Sequence, residues 1–367
     1  MKRQFYSQHK VSRSGMTRIE VFLILIPVLL LLSLFLLPFI QRADRTSRRL
    51  ECANNIRTLG MATITHASSQ AGKVPLVSQP APAMASGKNA IWLLHLLPYL
   101  DRADTIEYIT QQQTAKSAES AVHAVLKGTY RFLECPLDPN RLRQPGGISY
   151  GANIGYGAWR GTSQGVATAY DFGETDHCAV SIDWNGNGKL DPIDKDVARS
   201  TGVFWSADED GFRMTLDDIM NGDGTGQTIL FAETMNLPLM HLAGSAKDGL
   251  NPRALDAGIG LGYEALGLKT GTKPNLCLDR AAKPTSEYQQ CFAPNTNLGT
   301  AAGKWPAVSS PHKYPNSAWS HGGYVNVIFA DGHVSAVSYD INWAVWASLH
   351  TPRGRQHGEA EISDTDF

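Results

Sequence analysis

The chain has 367 residues and a formal net charge of -1, from 33 lysine and arginine residues against 34 acids. This balance excludes a globally basic nucleic-acid-binding protein, because binding to phosphates needs an excess of positive charge. We therefore expect no nucleic-acid partner. With 43% hydrophobic and 18% charged residues the chain can bury a core, and its length predicts about two folded units.

Residues 21–40 form an apolar segment, VFLILIPVLLLLSLFLLPFI, that is broken only by Ser33 and two prolines. At about 1.5 Å per residue a helix of this length spans roughly 30 Å, the thickness of the hydrocarbon core of a bilayer. The segment is longer than the apolar part of a secretory signal, and no small-residue cleavage site follows it. We predict a single transmembrane helix over 21–40.

A basic leader, residues 1–15, precedes this segment and ends in Gly15-Met16-Thr17-Arg18-Ile19-Glu20. A carboxylate at a membrane edge, such as that of Glu20, either has a partner or is solvated by headgroups. The arrangement resembles the start of a type IV prepilin. The resemblance implies that a prepilin peptidase cleaves between Gly15 and Met16 and methylates Met16, and that Glu20 pairs with the terminal amine of a neighbouring subunit. It also implies an inner-membrane protein with a cytoplasmic leader and a periplasmic head.

Beyond the apolar segment, apolar residues recur at steps of three or four. Such spacing predicts that one helix continues to about Ser69 and lays this face on a globular head. The predicted helix covers residues 16–69, and the head covers 70–367. The residues of the predicted inner face are Leu50, Ala53, Ile56, Gly60, Ile64 and Ala67.

Five cysteines in an exported chain allow two disulfides and one remaining thiol. We predict that Cys52 pairs with Cys135. A second pair, Cys277 with Cys291, would close the loop region 270–300, which leaves Cys178. Spacing alone does not fix this connectivity, and reduced, buried thiols are the alternative.

The acidic segment 171–223 contains a twelve-residue pattern, DWNGNGKLDPID, that starts at Asp183. Oxygen-bearing side chains fall at loop positions 1, 3, 5, 9 and 12, and glycine falls at position 6, as in a calcium loop. Aspartate at position 12 is shorter than the usual glutamate, as in dockerin loops, and favours moderate affinity. The alternative is an Asx/Gly-rich turn without an ion. The predicted Ca²⁺ ligands are Asp183, Asn185, Asn187, the Lys189 carbonyl, Asp191 and Asp194.

Near the carboxy terminus, two apolar runs flank Asp331-Gly332, and nine residues separate His321 from that pair. Asp-Gly between such runs predicts a β-hairpin with a two-residue type I′ turn, whose first strand starts at His321. Together with the amino-terminal motif, this H-x9-DG pattern resembles a bacterial family of prepilin-like proteins, domain of unknown function 1559. Further segments resemble the family's signatures: CANNIRTLG at 52–60, CPLDP at 135–139 and GTGQTILFAE at 224–233.

The resemblance implies an α+β, pilin-like fold: a long amino-terminal helix, part transmembrane and part exterior, packed on an antiparallel sheet, with the calcium loop inserted. An enzymatic site built from His312, His321, Asp331 and His333 is disfavoured, because the hairpin explains these residue types and no motif with a known mechanism is present. We expect no enzymatic activity.

The expected function is that of a pseudopilin-like structural subunit. A prepilin peptidase would process it, and a type II secretion or type IV pilus-like machinery would assemble it with other pilin-like subunits. The alternative is a membrane-tethered, calcium-dependent binding module that presents Trp184 and Trp205 to a glycan or another cell-envelope partner.

Overall fold

The structure is a computed structural model. Contacts along the chain define two compact units, residues 1–48 and residues 49–367. The predicted cleavage pair, Gly15 and Met16, lies outside the described residues, as do the side chains of residues 20, 34–45, 158–160 and 169–171. The structure describes residues 18–81, 88–112, 114–138, 141–160, 169–171, 183–189, 191–206, 211–235, 237–244, 249–252, 256–262, 266, 276–281, 323–363 and 366.

Helix α1 runs from Arg18 to Ser69 without interruption. Its large apolar side chains between Ile19 and Leu32 are 45–73% exposed. In the part of the chain that the structure describes, no helix meets the length and apolarity needed to cross a membrane. The predicted span 21–40 includes residues 34–40, whose side chains are outside the described set.

The head contains short helices and two sheets. The helices are α2 (Trp92–Leu96), α3 (Ala103–Thr110), α4 (Ala115–Leu126), α5 (Pro192–Arg199), α6 (Leu216–Asn221) and α7 (Trp343–Ser348). The strands are β1 (Ser78–Pro80), β2 (Asn89–Ile91), β3 (Tyr150–Arg160), β4 (Ala169–Asp171), β5 (Ile229–Glu233), β6 (Gly258–Gly262), β7 (Tyr324–Phe329) and β8 (Val334–Ser338).

The main sheet has the strand order β4-β3-β5-β7-β8, with β6 paired to β3. The predicted antiparallel sheet is a mixed one: β6 lies parallel to β3, and the other pairings of the main sheet are antiparallel. Ala152 pairs with Phe231 of β5 and with Gly258 of β6, so β3 lies between these strands. Strand β6 follows β5 in the chain but pairs with the other side of β3, so the connection between β5 and β6 is a crossover.

Gly60 lets α1 approach the sheet closely. A Cβ atom at this position would lie 2.1 Å from the Cδ1 atom of Ile328 in β7. On the same helix Ile56 and Ala67 are fully buried, as the predicted inner face requires, whereas Leu50 is 61% exposed and was wrongly assigned to it. At Gly60 the helix thus lies directly against β7.

The acidic segment 171–223 supplies part of the core where it is described. Trp184 and Trp205 are 1% and 2% exposed. The Trp205 carbonyl accepts a hydrogen bond from the Val77 amide at 2.8 Å, and the Asn153 carbonyl of β3 accepts one from the Phe204 amide at 2.8 Å. The described part of the segment therefore packs against β3 and against the residues that follow α1, and its two indoles are buried. Residues 172–182, with Cys178, lie outside the described part.

Candidate calcium loop and family-motif turn

The candidate calcium loop begins at Asp183 and ends inside α5. Gly186 and Gly188 have φ angles of 68° and 79°, in the left-handed region that favours glycine. No atom lies within 4 Å of where a Cβ atom of Gly188 would be. Glycine at this sixth loop position is therefore required by the backbone conformation rather than by lack of space.

Side chains of this loop converge on Asp191. Both Asn185 and Asn187 donate a side-chain amide hydrogen bond to its Oδ2 atom, each at 2.8 Å. These hydrogen bonds lower the pKa of Asp191, and the bond from Asn185 has the largest effect. Asp183 closes the other side of the loop, because its Oδ1 atom accepts from the Asn187 amide at 3.1 Å and its Oδ2 atom from the Gly188 amide at 2.6 Å.

Asp194 fastens the loop to α5. Its buried carboxylate accepts hydrogen bonds from the amides of Asn185 and Asp191, both at 3.0 Å. Asp191 is also the N-cap of α5 and accepts from the Ile193 amide at 2.9 Å. The same two aspartates that would bind an ion therefore also start the helix.

This donor set suits a hard cation. Oxygen atoms are what Ca²⁺ prefers, and six to eight of them complete its coordination. The ion would be held by the Lys189 carbonyl and by five side chains, those of Asp183, Asn185, Asn187, Asp191 and Asp194. The hydrogen bonds just described already hold these residues around one loop.

Another group of possible metal ligands lies outside the loop. Within the described residues, the one group of three His, Cys, Asp or Glu ligand atoms all within 4.8 Å of one another is Cys52, Cys135 and Glu233. Cys52 and Cys135 form a disulfide, so their sulfur atoms are not available as thiolate ligands. Within the described residues, the carboxylates of the three loop aspartates do not form such a group. The calcium assignment therefore stays a prediction.

The disulfide confirms the predicted pairing of Cys52 with Cys135, with a Cα–Cα distance of 4.9 Å. One turn along α1, the Asn55 side-chain amide donates to the carbonyls of Arg131 and Glu134, at 3.0 and 2.9 Å. Both contacts fix α1 to the segment before β3. Of the second predicted pair, Cys277 is described and Cys291 lies outside the described residues.

Buried polar groups lie beneath the disulfide. Glu233 accepts hydrogen bonds from the Asn326 backbone amide and side chain, both at 2.9 Å. Tyr150 donates its hydroxyl to the Cys52 carbonyl at 3.2 Å. Burial, reinforced by the Glu233 carboxylate, raises the pKa of Tyr150 well above its usual value, so the hydroxyl stays a donor.

The Asp331-Gly332 turn joins β7 to β8, which confirms the hairpin but not the predicted turn type. The Gly332 amide donates to the Phe329 carbonyl at 2.9 Å, and the Phe329 amide donates to the His333 carbonyl at 3.0 Å. Gly332 has a φ of 89°, whereas Asp331 has no positive φ. This is a three-residue loop with a glycine bulge rather than a type I′ turn. Strand β7 begins at Tyr324, and His321 lies outside the described residues.

The turn connects three distant parts of the chain. The Ala330 amide donates to the Thr228 carbonyl at 2.9 Å, and the Asp331 amide donates to the Thr225 carbonyl at 3.1 Å. A Cβ atom on Gly332 would lie 2.9 Å from the Sδ atom of Met61 on α1. The family signatures at 224–233 and 331–332 thus meet at one place, beside Met61, which directly follows the signature at 52–60.

Asp331 also orders the start of β8. Its Oδ1 atom accepts from the His333 backbone amide at 2.9 Å and lies 2.7 Å from the ring Nδ1 atom. The His333 ring stacks on Phe329 with centroids 4.3 Å apart. These contacts give Asp331 and His333 structural roles in the turn.

Sequence reasoning missed a buried carboxyl pair on the carboxy-terminal side of α7. Glu359 Oε2 accepts from the Thr351 hydroxyl at 2.6 Å, and the same hydroxyl lies 3.3 Å from Asp223 Oδ2. Burial is the main effect that raises the pKa of Glu359, and the negative charge of Asp223 raises it further, to about 8. No sequence signal marks this pair, because its members are far apart in the chain.

The family model described as "Protein of unknown function (DUF1559)" matches residues 41–343. No curated protein and no solved structure matches the chain. The match covers the disulfide, the crossover sheet and the Asp-Gly turn. The chain therefore belongs to the DUF1559 family of proteins of unknown function.

Proposed function

We propose that this protein is a pseudopilin-like structural subunit without enzymatic activity. In this proposal a prepilin peptidase removes residues 1–15, and α1 anchors the subunit in the inner membrane with the head in the periplasm. A type II secretion or type IV pilus-like machinery then assembles it with other pilin-like subunits.

Helix α1 carries this proposal. Its large apolar side chains between Ile19 and Leu32 are 45–73% exposed. Burying such side chains contributes about 25 cal/mol per Å² of apolar surface, so a lipid or subunit environment is strongly favoured over water. At its other end, the disulfide, Asn55 and Gly60 hold α1 on the head.

The calcium loop has a supporting role in this proposal. An ion at Asp183, Asp191 and Asp194 would offset their mutual repulsion and stabilise the start of α5. Helix α5 contacts the carboxy-terminal segment, since Arg353 Nη2 lies 2.8 Å from Asp196 Oδ1. We propose Ca²⁺ as a stabilising ligand rather than as part of a reaction.

Crosslinking in the native membrane tests the proposal. We expect Glu20→Ala to be cleaved normally but to lose crosslinks to other pilin-like subunits, because the carboxylate would no longer neutralise a neighbour's amine. Glu51→Ala is the matched control on the same helix, where the side chain is exposed. Equal crosslinking of the wild type and both variants would refute assembly through Glu20. A protein that is monomeric throughout would favour the tethered-module alternative.

A further inference from the structure

A buried carboxylate lies beside the disulfide. The Sγ atoms of Cys52 and Cys135 and a carboxylate oxygen of Glu233 all lie within 4.8 Å of one another. All three side chains are fully buried. Cys52 belongs to α1, Cys135 to the segment before β3, and Glu233 to the end of β5. The fold therefore brings three potential metal ligands together from distant parts of the chain.

Hydrogen bonds hold two of these three groups in place. Asn326 of β7 donates its backbone amide to Oε2 of Glu233 and its side-chain amide to Oε1, both at 2.9 Å. The Cys135 amide donates to the Ser149 hydroxyl at 3.2 Å. Side chains that bind metal ions in proteins are usually oriented by outer hydrogen bonds of this kind. The Glu233 carboxylate is thus held in one orientation beside the two sulfur atoms.

The charge at this place favours a cation once the disulfide is reduced. A disulfide is neutral, whereas two thiolates and the Glu233 carboxylate together carry three negative charges, which a divalent ion offsets. After burial, the Glu233 carboxylate has the largest effect in raising the pKa of the neighbouring Tyr150. The carboxylates of Asp138 and Glu51 act on Tyr150 in the same direction. The surroundings of the two sulfur atoms are therefore negative rather than positive.

We propose that the reduced protein binds one zinc ion through the Cys52 and Cys135 thiolates and the Glu233 carboxylate. Tetrahedral zinc, with bonds of about 2.3 Å to sulfur and about 2.1 Å to oxygen, places its ligand atoms about 3.6–3.8 Å apart. This spacing is shorter than the 4.8 Å within which the three atoms lie. Mixed sulfur and oxygen ligands suit Zn²⁺, because Ca²⁺ takes oxygen alone and Cu⁺ prefers sulfur. A water molecule would complete the fourth position.

The zinc-bound form and the disulfide form are successive states of the chain, because cysteines enter a new protein as thiols. Zinc holds the two thiolates together and keeps them from pairing with other cysteines. In the oxidation step, a disulfide oxidant such as oxidised glutathione accepts two electrons from the thiolates and two protons from solvent, and becomes two thiols. The S–S bond between Cys52 and Cys135 forms while both zinc–sulfur bonds break. One Zn²⁺ is therefore released for each disulfide formed.

Cobalt absorption tests this site on the full-length protein in neutral detergent, because cobalt bound to thiolates shows sulfur-to-metal charge-transfer bands. The protein carries Cys178→Ser, Cys277→Ser and Cys291→Ser, so that the thiolate bands belong to the two proposed ligands. It is compared in its disulfide form and after refolding with a phosphine reductant. We expect these bands in the reduced protein alone, and we expect zinc to displace the cobalt. Oxidised glutathione added to the zinc-loaded protein should release one zinc per disulfide formed.

Glu233→Gln in the same protein is expected to weaken cobalt binding by at least about tenfold, since the loss of even an outer partner of a metal ligand costs about 10–100-fold. Glu51→Gln is the matched control, because it removes a carboxylate next to Cys52 from an exposed position of α1. This control should bind cobalt nearly as the parent protein does. Two results would overturn the proposal: no thiolate bands in the reduced parent protein, or equal cobalt affinity in the parent and Glu233→Gln. The first result needs no substitution at the site, so it does not depend on whether Glu233→Gln folds.

Discussion

The substitution Glu359→Gln is expected to stabilise the protein at high pH and to change little at low pH. Glu359 is buried between the hydroxyls of Thr351 and Tyr156, at 2.6 and 3.4 Å, with the Asp223 carboxylate nearby. Glutamine has nearly the same shape and is neutral at every pH. The variant therefore removes the titration of this site while it keeps the packing.

The size of the effect follows from the pKa of Glu359, which is raised from 4.5 to about 8. Since one pKa unit corresponds to about 1.36 kcal/mol, the upper bound is about 5 kcal/mol. A raised pKa means that the folded protein holds the proton more tightly than the unfolded chain. The contribution of protonated Glu359 is therefore fully present below pH 4.5 and is lost as the pH rises to about 8.

Urea unfolding of the full-length protein at pH 5, 7 and 9 measures this effect, with the fluorescence of buried tryptophans such as Trp92 and Trp346 as the signal. We expect the free energy of unfolding of Glu359→Gln to exceed that of the wild type by an amount that grows with pH. The exposed Glu361→Gln is the control and should follow the wild type. Parallel pH curves for the wild type and Glu359→Gln would refute the buried-acid assignment.

Four further predictions concern stability. Calcium should raise the melting temperature of the wild type but not of Asp183→Ala in calorimetry; an equal rise in both would remove the loop as the binding site. The double substitution Cys52→Ser/Cys135→Ser should cost about 4 kcal/mol in urea unfolding, because the disulfide closes a loop with a sequence separation of 83; an unchanged midpoint would contradict this. Gly60→Leu should cost about 1–3 kcal/mol, since its side chain would clash with β7; wild-type stability would show that α1 is loosely packed. His95, with its pKa lowered to about 4, stabilises the fold above pH 6.5 and loses that contribution as the pH falls to 4, so His95→Gln should remove up to about 3 kcal/mol of the acid destabilisation; equal loss of stability on acidification would oppose this.

The sequence predicted local features well and their orientation less well. The inner face of α1 was correct at Ile56 and Ala67 and wrong at Leu50. Leu50 precedes Cys52 by two residues, which turns it about 200° around the helix. The disulfide to Cys135 fixes which side of α1 faces the head, and hydrophobicity alone does not contain that information.

The type of the Asp-Gly turn also could not be predicted from the neighbouring residues alone. Asp331 and Gly332 suit both two-residue and three-residue hairpin loops, and the backbone contacts to Thr225 and Thr228 favour the longer one. These partners lie about a hundred residues earlier, so local rules do not include them. The parallel pairing of β6 depends in the same way on a crossover between distant segments.

The candidate sites differ in whether their residues are contiguous in the sequence. The calcium loop is contiguous, so its ligand pattern can be read from the sequence. The pair of Glu359 and Asp223 is assembled from distant segments by the fold. The raised pKa of Glu359 depends on burial and on the neighbouring carboxylate, which appear only in three dimensions.

The mass of the mature amino-terminal peptide tests most directly whether this protein enters a pilin-like assembly pathway, as we propose. Mass spectrometry of the protein purified from its native membrane should show a chain that begins at Met16 and carries an N-methyl group. Gly15→Val should block this processing and leave the leader attached. A wild-type chain that retains residues 1–15, or that is cleaved at another position, would contradict the account.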